Sequence, residues 1–151
     1  MLGEEHPNMA TTYNNLAVVY ADQGNYKEAL KYYRKALVIK EKVLGEDHPK
    51  TAMTYNNLGD LYRYQKNHGK AQKYYEKALA IQEKVLGIEH PDTATTYYNL
   101  GVLFFTMCDY KKAEAYYKKA LSKLEKALGK DHPYTKQARY GLEDAERALK
   151  R

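Results

Sequence analysis

The hexapeptide LGEDHP at residues 44–49 decides the fold, because close copies of it recur at a fixed interval along the chain. The other copies are LGEEHP at residues 2–7, LGIEHP at 86–91 and LGKDHP at 128–133, so neighbouring copies lie 42 residues apart. Residues 2–43 and 44–85 are identical at 25 of 42 positions. Self-similarity at such a period is typical of repeat proteins, in which each repeat buries its apolar face against its neighbours.

Each repeat shows the apolar periodicity of two helices. The first repeat contains two sets of residues that are spaced as on a helix. The set in its first half is Tyr13, Leu16, Ala17 and Tyr20, and the set in its second half is Ala29, Tyr33, Ala36 and Leu37. Residues spaced by three and four positions share one face of a helix. We therefore predict a helix pair in each repeat, with the apolar sets facing each other.

Turn and cap residues predict where these helices begin and end. Each first helix begins at the proline of the hexapeptide, with His or Asp before it as the cap. Gly24 and Asn25 form the turn within the first pair, and Gly45 ends its second helix. We expect one array over residues 1–151, with repeats at about 7–44, 49–86 and 91–128. The fourth copy loses the motif at Tyr140 and Glu146, which predicts a polar capping helix at about 133–150.

The pattern resembles the tetratricopeptide repeat. That family has an aromatic residue, Leu-Gly and Tyr on the first helix, then Ala, an aromatic residue and Ala on the second. The second repeat matches with Tyr55-x-x-Leu58-Gly59-x-x-Tyr62 and Ala71-x-x-x-Tyr75-x-x-Ala78. The resemblance implies an all-α, right-handed solenoid of three helix pairs and a capping helix, seven helices in total. It also implies a protein-binding scaffold and not an enzyme.

One departure narrows the resemblance. The usual repeat closes with proline after about 34 residues, but that position holds Glu41, Glu83 and Glu125, and the second helix continues. This lengthened form, with NNLA or NNLG on the first helix, is similar to the repeats of kinesin light chains and nephrocystin-3-like proteins. In that family the first helices line a concave groove that holds extended peptides.

The resemblance therefore predicts a peptide-binding stripe opposite the packing face of each first helix. The candidate binding residues are Asn14, Asn56, Asp60, Arg63, Tyr64, Tyr98, Asn99, Val102, Phe105, Tyr140 and Arg147. A carboxamide both donates and accepts hydrogen bonds, so it can satisfy a peptide backbone without selecting a sequence. The alternative is that the asparagines only join neighbouring helices.

An apolar stripe at Tyr98, Val102 and Phe105 is the most unusual part of this surface. Apolar residues opposite a complete packing face are expected to be covered by a partner. We interpret them as an anchor for an apolar partner side chain. The alternatives are that neighbouring first helices close over them, or that a second copy of the chain does. Arg63 and Arg147 are accompanied by acidic residues, so a strongly acidic peptide is not expected.

Charge and composition leave two alternative functions. The net charge of +6 would suit nucleic acid or an anionic membrane, but the lysines concentrate on the second helices, where they predict a solvated convex face. Both partners are therefore disfavoured. The other alternative is a structural or engineered fragment that self-associates through its uncapped first repeat. Met1 stands where Val43 and Val85 occur in later copies, so the chain begins just inside a linker.

Catalytic, metal and membrane signatures are missing from the sequence. The four hexapeptide histidines are interpreted as linker residues, because neighbouring repeats lie about 10 Å apart and zinc ligands must lie about 2 Å from the metal. No phosphate loop or nucleophile motif occurs, and we expect no cofactor. A single cysteine, Cys108, and the lack of a long apolar run favour a cytoplasmic protein.

Overall fold

Seven α-helices make up the described part of the computed structural model, which covers residues 6–151 and contains no strand there. The helices are α1 (Pro7–Asp22), α2 (Tyr26–Leu44), α3 (Pro49–Tyr64), α4 (His68–Val85), α5 (Pro91–Thr106), α6 (Tyr110–Leu128) and α7 (Pro133–Leu149). The predicted helix pairs and the final single helix are confirmed. Residues 1–5, with Met1 and most of the first hexapeptide, lie outside the described residues.

Two compact units divide the chain, and each has its own core. Unit 1 comprises residues 1–81, with α1, α2, α3 and most of α4. Unit 2 comprises residues 82–151, with the end of α4 followed by α5, α6 and α7. In unit 1, one cluster of buried residues joins α1 to α2 through Tyr13 and Ile39, and another joins α3 to α4 through Tyr55 and Ile81.

The hexapeptide histidines begin the first helices. Each of His6, His48, His90 and His132 is an N-cap whose Nδ1 accepts a hydrogen bond from the backbone N–H two residues later, at 3.0–3.1 Å. The following proline has no N–H to satisfy and already has a helical φ. This capping explains why histidine recurs in every copy.

The turns inside the three helix pairs share a left-handed backbone. Gly24 has a φ of 77°, and the residues at the same repeat position, Lys66 and Cys108, have φ of 61° and 63°. Glycine tolerates this conformation, whereas a residue with a Cβ is strained by about 1–2 kcal/mol. The turn geometry is thus kept in all three repeats, even though only the first has the residue that suits it.

Close contact within a helix pair depends on glycine in the second and third repeats. A Cβ added to Gly59 would lie 2.5 Å from the ring of Tyr75, and one added to Gly101 would lie 2.7 Å from the ring of Tyr117. Both tyrosines are buried, with Tyr75 fully inaccessible. These glycines therefore let the first helix approach an aromatic ring that fills the space beside it.

Neighbouring repeats are joined by the glutamates that replace the usual proline. The hydroxyl of Tyr55 donates to Glu41 Oε1 at 2.6 Å, and the hydroxyl of Tyr97 donates to Glu83 Oε1 at 2.8 Å. At the same positions in the last pair, the guanidinium of Arg139 donates to Glu125 at 3.4 Å. The glutamate column thus has a structural role, since it receives a donor from the next first helix each time.

Candidate functional site

The predicted binding residues lie on one face of the first helices, which we call the first-helix face. In unit 1 this face comprises Asn14 on α1 with Asn56, Asp60, Arg63 and Tyr64 on α3. In unit 2 it comprises Tyr98, Asn99, Val102 and Phe105 on α5 with Tyr140 and Arg147 on α7.

A carboxamide bridge joins the two first helices of unit 1. Asn57 Nδ2 donates to Asn14 Oδ1 at 3.2 Å, and both side chains are part-buried. Asn56, on the adjoining position of α3, is also half-buried. The bridge uses one acceptor of Asn14 and one donor of Asn57, and a carboxamide has two of each. These asparagines therefore join neighbouring helices and still have capacity for a further hydrogen bond.

Asp60 and Arg63 belong to a network around the buried Tyr75. The Tyr75 hydroxyl donates to Asp60 Oδ1, and Arg63 Nε donates to the Tyr75 oxygen at 3.2 Å. The guanidinium also lies 3.8 Å from Asp60 and 4.7 Å from the ring centre of Tyr64. Burial raises the pKa of Asp60, although the hydrogen bonds and the nearby Arg63 oppose that shift. The two charges thus compensate each other inside unit 1.

The apolar stripe of unit 2 is partly covered by the second helix of its own repeat. Tyr98 lies 5.7 Å from Tyr117, between ring centres, and Phe105 lies 5.2 Å from Tyr110 in an edge-on contact. Tyr98, Val102 and Phe105 are all half-buried. Tyr98 and Phe105 therefore combine an intramolecular contact with a surface that a partner can reach, and Val102 is half-buried between them.

A small cavity opens beside this stripe, between α5, α6 and α7. Its volume is about 170 Å³, and its lining residues are Thr95, Tyr98, Asn99, Leu124, Tyr134 and Gln137. Most of the lining surface is apolar, while Asn99 and Gln137 add carboxamides to its wall. Tyr134 at its edge is 55% exposed. The cavity combines apolar walls with a few polar groups, as binding pockets do.

The α7 part of the first-helix face is more open. Tyr140 is 58% exposed, and Arg147 forms an ion pair with Asp144 one turn earlier. Exposed ion pairs contribute little to stability, so this pair leaves the guanidinium accessible to a partner. Within unit 2, α7 thus adds both an aromatic and a charged group to the face.

A second repeated feature was missed by the sequence analysis. Tyr32, Tyr74 and Tyr116 stack face to face on Tyr20, Tyr62 and Phe104, with interplanar angles of 2°, 7° and 6°. A lysine follows each of these second-helix tyrosines by three residues. Its ammonium lies 5.3–5.5 Å from the centre of a first-helix tyrosine ring, in the pairs Lys35–Tyr13, Lys77–Tyr55 and Lys119–Tyr97. The recurrence of Tyr and Lys at the 42-residue interval could have revealed it. These lysines are exposed, as a solvated face requires, and each also makes a cation–π contact.

Residues 6–151 offer no candidate for a metal site or a membrane-spanning helix. That part of the chain contains no group of three or more His, Cys, Asp or Glu side chains placed to hold a metal ion. None of its helices is long and apolar enough to cross a membrane. The first-helix face and its cavity therefore remain the candidate site.

Comparison with known protein families identifies the repeat. A family model described as "Tetratricopeptide repeat" matches residues 8–84 and 57–126. The chain belongs to the tetratricopeptide repeat family. Proteins of this family are generally non-enzymatic scaffolds. No curated protein matches the sequence significantly.

Solved structures confirm the all-α, solenoid type of fold. BtubC (BKLC) from P. vanneervenii is 26% identical with a TM-score of 0.86, and the match covers 96% of this chain and 58% of that one. A putative kinesin light chain from Podosopora anserina with nearly identical TPR-like repeats is 24% identical with a TM-score of 0.78, covering 99% and 71%. The first TPR of Spaghetti (RPAP3), bound to an HSP90 peptide, is 18% identical with a TM-score of 0.70, covering 97% of each chain. The putative kinesin light chain and the other two proteins thus share the fold of this chain.

Proposed function

We propose that this chain is a protein-interaction scaffold whose first-helix faces each bind an extended segment of a partner protein. The observation that carries the proposal is the cavity of unit 2, because its apolar walls include two carboxamides, from Asn99 and Gln137. An apolar partner side chain would enter the cavity. The carboxamides would then bond the peptide backbone on either side of it.

Carboxamides and exposed apolar side chains also support binding at the face of unit 1. The Asn14–Asn57 bridge presents carboxamides there, and Met53 and Tyr64 are 55% and 53% exposed. The Spaghetti (RPAP3) structure, which has this fold, is bound to a peptide. A cytoplasmic location forms part of the proposal, and the single free cysteine, Cys108, supports it.

The test uses a displayed library of random peptides selected against the chain, with affinities measured by fluorescence anisotropy. Tyr134→Ala and Gln137→Ala alter exposed residues of the cavity, so they should weaken binding by about tenfold or more without unfolding the chain. Ile88→Ala is the matched control, because Ile88 is 52% exposed but lies in a linker outside the cavity. Equal loss in all three variants, or no loss in the first two, would contradict the proposal.

Self-association is a second candidate, supported by one observation in unit 1. Leu58 and Leu61 of α3, which packs against α2, are each 1% exposed. Leu16 and Val19 occupy the same repeat positions on α1 and are 38% and 52% exposed. A helix from a second copy would cover them as α2 covers α3.

Light scattering over a range of concentrations tests this second candidate. The mean mass of the wild-type chain should rise with concentration, and Leu16→Glu should abolish the rise because it places a charge in the contact. Val38→Glu is the control, since Val38 on α2 is 58% exposed. A wild-type chain that stays monomeric throughout rules out self-association.

A further inference from the structure

Each unit contains a small cleft at the same repeat position, but the two clefts differ in charge. The cavity of unit 2 is lined by Thr95, Leu124 and Tyr134. In unit 1 the residues at those repeat positions, Thr11, Lys40 and Lys50, line a cleft of about 140 Å³, which we call the Lys40 cleft. Two lysines thus replace the leucine and the tyrosine. The volume has room for roughly four or five water molecules at about 30 Å³ each.

Lys40 is a half-buried cation whose partners among the described residues are neutral. Its ammonium donates to Thr54 Oγ1 at 2.9 Å and to the backbone carbonyl of Lys50 at 3.5 Å. Among the described residues, no carboxylate forms an ion pair with it. Burial lowers its pKa, and the positive charge of Lys50 lowers it further. A charge removed from water without a counterion is costly, so this ammonium would gain from an anion in the cleft.

The other repeats show that the fold does not require a lysine here. Gln82 holds the same position in the second repeat, where it is 2% exposed and accepts a hydrogen bond from Thr96 Oγ1 at 2.5 Å. Leu124 holds it in the third repeat and is 1% exposed. Neutral residues of similar size therefore pack well at this position. Lys40 is the only cation in this column of the sequence.

We propose that the Lys40 cleft binds an aspartate or glutamate side chain of the partner segment, with the ammonium groups of Lys40 and Lys50 as its counterions. Charge complementarity favours this occupant, because a carboxylate would compensate the buried charge of Lys40 and accept hydrogen bonds from both lysines. The inference deepens the proposed function and rests on it. It predicts an acidic side chain in the partner segment that binds unit 1.

The test compares wild-type and Lys40→Gln chains in the same random-peptide selection. Peptides selected by the wild-type chain should carry Asp or Glu at a constant position, and selection by Lys40→Gln should lose that preference. For the most enriched peptide, changing its acid to the amide and changing Lys40 to Gln should each weaken binding about tenfold. Because both changes remove the same contact, the two together should cost no more than either alone.

A stability measurement separates lost binding from lost folding. Lys40→Gln adopts the residue of the second repeat, so its melting temperature should equal or exceed that of the wild-type chain. The reciprocal change, Leu124→Lys, should create a preference for acidic peptides in unit 2. An unchanged affinity of the enriched peptide for Lys40→Gln, or peptides without a constant acid, would overturn the inference.

Other outcomes distinguish this inference from the proposed function. Peptides that bind unit 2 and lose affinity in Tyr134→Ala, but show no acidic preference, would leave the proposed function standing and overturn the Lys40 assignment. A selection that yields no binding peptide would overturn both. Tighter binding when phosphoserine replaces the acid would assign the cleft to phosphate. Lys40-dependent binding of a single-stranded oligonucleotide would assign it to nucleic acid, and either result overturns the carboxylate.

Discussion

Replacing Gly59 with alanine should destabilise the chain, although alanine is the better helix former. The added Cβ would lie 2.5 Å from two ring atoms of Tyr75. The ring has no room to retreat, since Tyr75 is fully buried and its hydroxyl is held by Asp60 and Arg63. Moving the ring would break these hydrogen bonds, and keeping it in place would push α3 away from α4.

The magnitude follows from two opposing terms. Overpacking a core by one methyl group costs about 1–3 kcal/mol, and a contact this short belongs at the upper end. Higher helix propensity returns about 1 kcal/mol. The free energy of unfolding should therefore fall by about 2 kcal/mol. For a chain of this size, that corresponds to a melting temperature lower by roughly 4–8 °C.

Gly69→Ala provides the matched control for this prediction. Gly69 lies in the first turn of α4, and a Cβ added there would meet no atom within 4 Å. The same chemical change should therefore raise the free energy of unfolding, by about 0.5 kcal/mol. Thermal unfolding followed by circular dichroism, with urea titration for the free energy, measures both. If Gly59→Ala proved as stable as the wild-type chain, the close-contact argument would be refuted.

The first repeat supplies a variant that tests the cause. The positions of Gly59, Asp60 and Arg63 are occupied there by Ala17, Val18 and Ala21. Ala17 is fully buried, and Tyr33, which has the repeat position of Tyr75, is buried as well. Asp60→Val with Arg63→Ala would leave the buried Tyr75 hydroxyl without these two partners, so this pair of changes should lower the free energy of unfolding by itself. Because the ring is then no longer held in place, adding Gly59→Ala should cost less than it does in the wild-type chain.

Three further predictions concern turns, tyrosines and caps. Lys66→Gly and Cys108→Gly should each raise the free energy of unfolding by about 1 kcal/mol, because glycine adopts the positive φ of these turns without strain. Lys73→Gly, inside α4, is the control and should lower the free energy of unfolding. Urea titration measures all three variants. Burial and a hydrogen bond to Glu83 raise the pKa of Tyr97 from 10.0 to about 12, so the unfolded chain loses this proton at a lower pH than the folded chain does. The free energy of unfolding should therefore fall as the pH rises from 10 to about 12. The fall should be less steep in Tyr97→Phe, which has no proton to lose. His90→Ala should lower the free energy of unfolding by about 1 kcal/mol, because it removes the cap of α5. His90→Ser should lower it much less, since serine can cap the helix. Equal melting temperatures of the two variants would contradict this prediction.

Sequence spacing was sufficient to predict the helices, because repeat position determines local structure almost residue by residue. The prolines and the glycines of the linkers lie at the helix ends, and the small residues lie where helices touch. Lys66 and Cys108 show the strength of this effect, since both take the backbone conformation of Gly24 despite their side chains. Packing of the two helices in each pair therefore overrides local preference at the turn.

The chemistry of the binding face was harder to predict, because it depends on contacts between helices. The sequence predicts that Asp60 and Arg63 present charges to the groove. In the structure both side chains bond the Tyr75 hydroxyl, which limits the hydrogen bonds that they can offer to a partner. Tyr98 was predicted to be an anchor, and its contact with Tyr117 follows only from the approach of α6. The cavity of unit 2 involves three helices, so no periodicity within one helix could have indicated it.

Repeat-by-repeat comparison separates residues that maintain the fold from residues free to acquire a function. The glutamate before the linker always receives a donor, and where tyrosine is lost in the last copy, Arg139 supplies the donor instead. The position of Lys40 behaves differently. Lys40 and Gln82 bond Thr54 and Thr96, which share a repeat position, whereas the third repeat has Leu124 there and Ala138 in place of the threonine. This hydrogen bond is thus not common to all repeats, so the chemistry of the position can differ between clefts. A scaffold built in this way could change the partner it selects by single substitutions in such columns, while the hydrogen bonds that join its repeats remain intact.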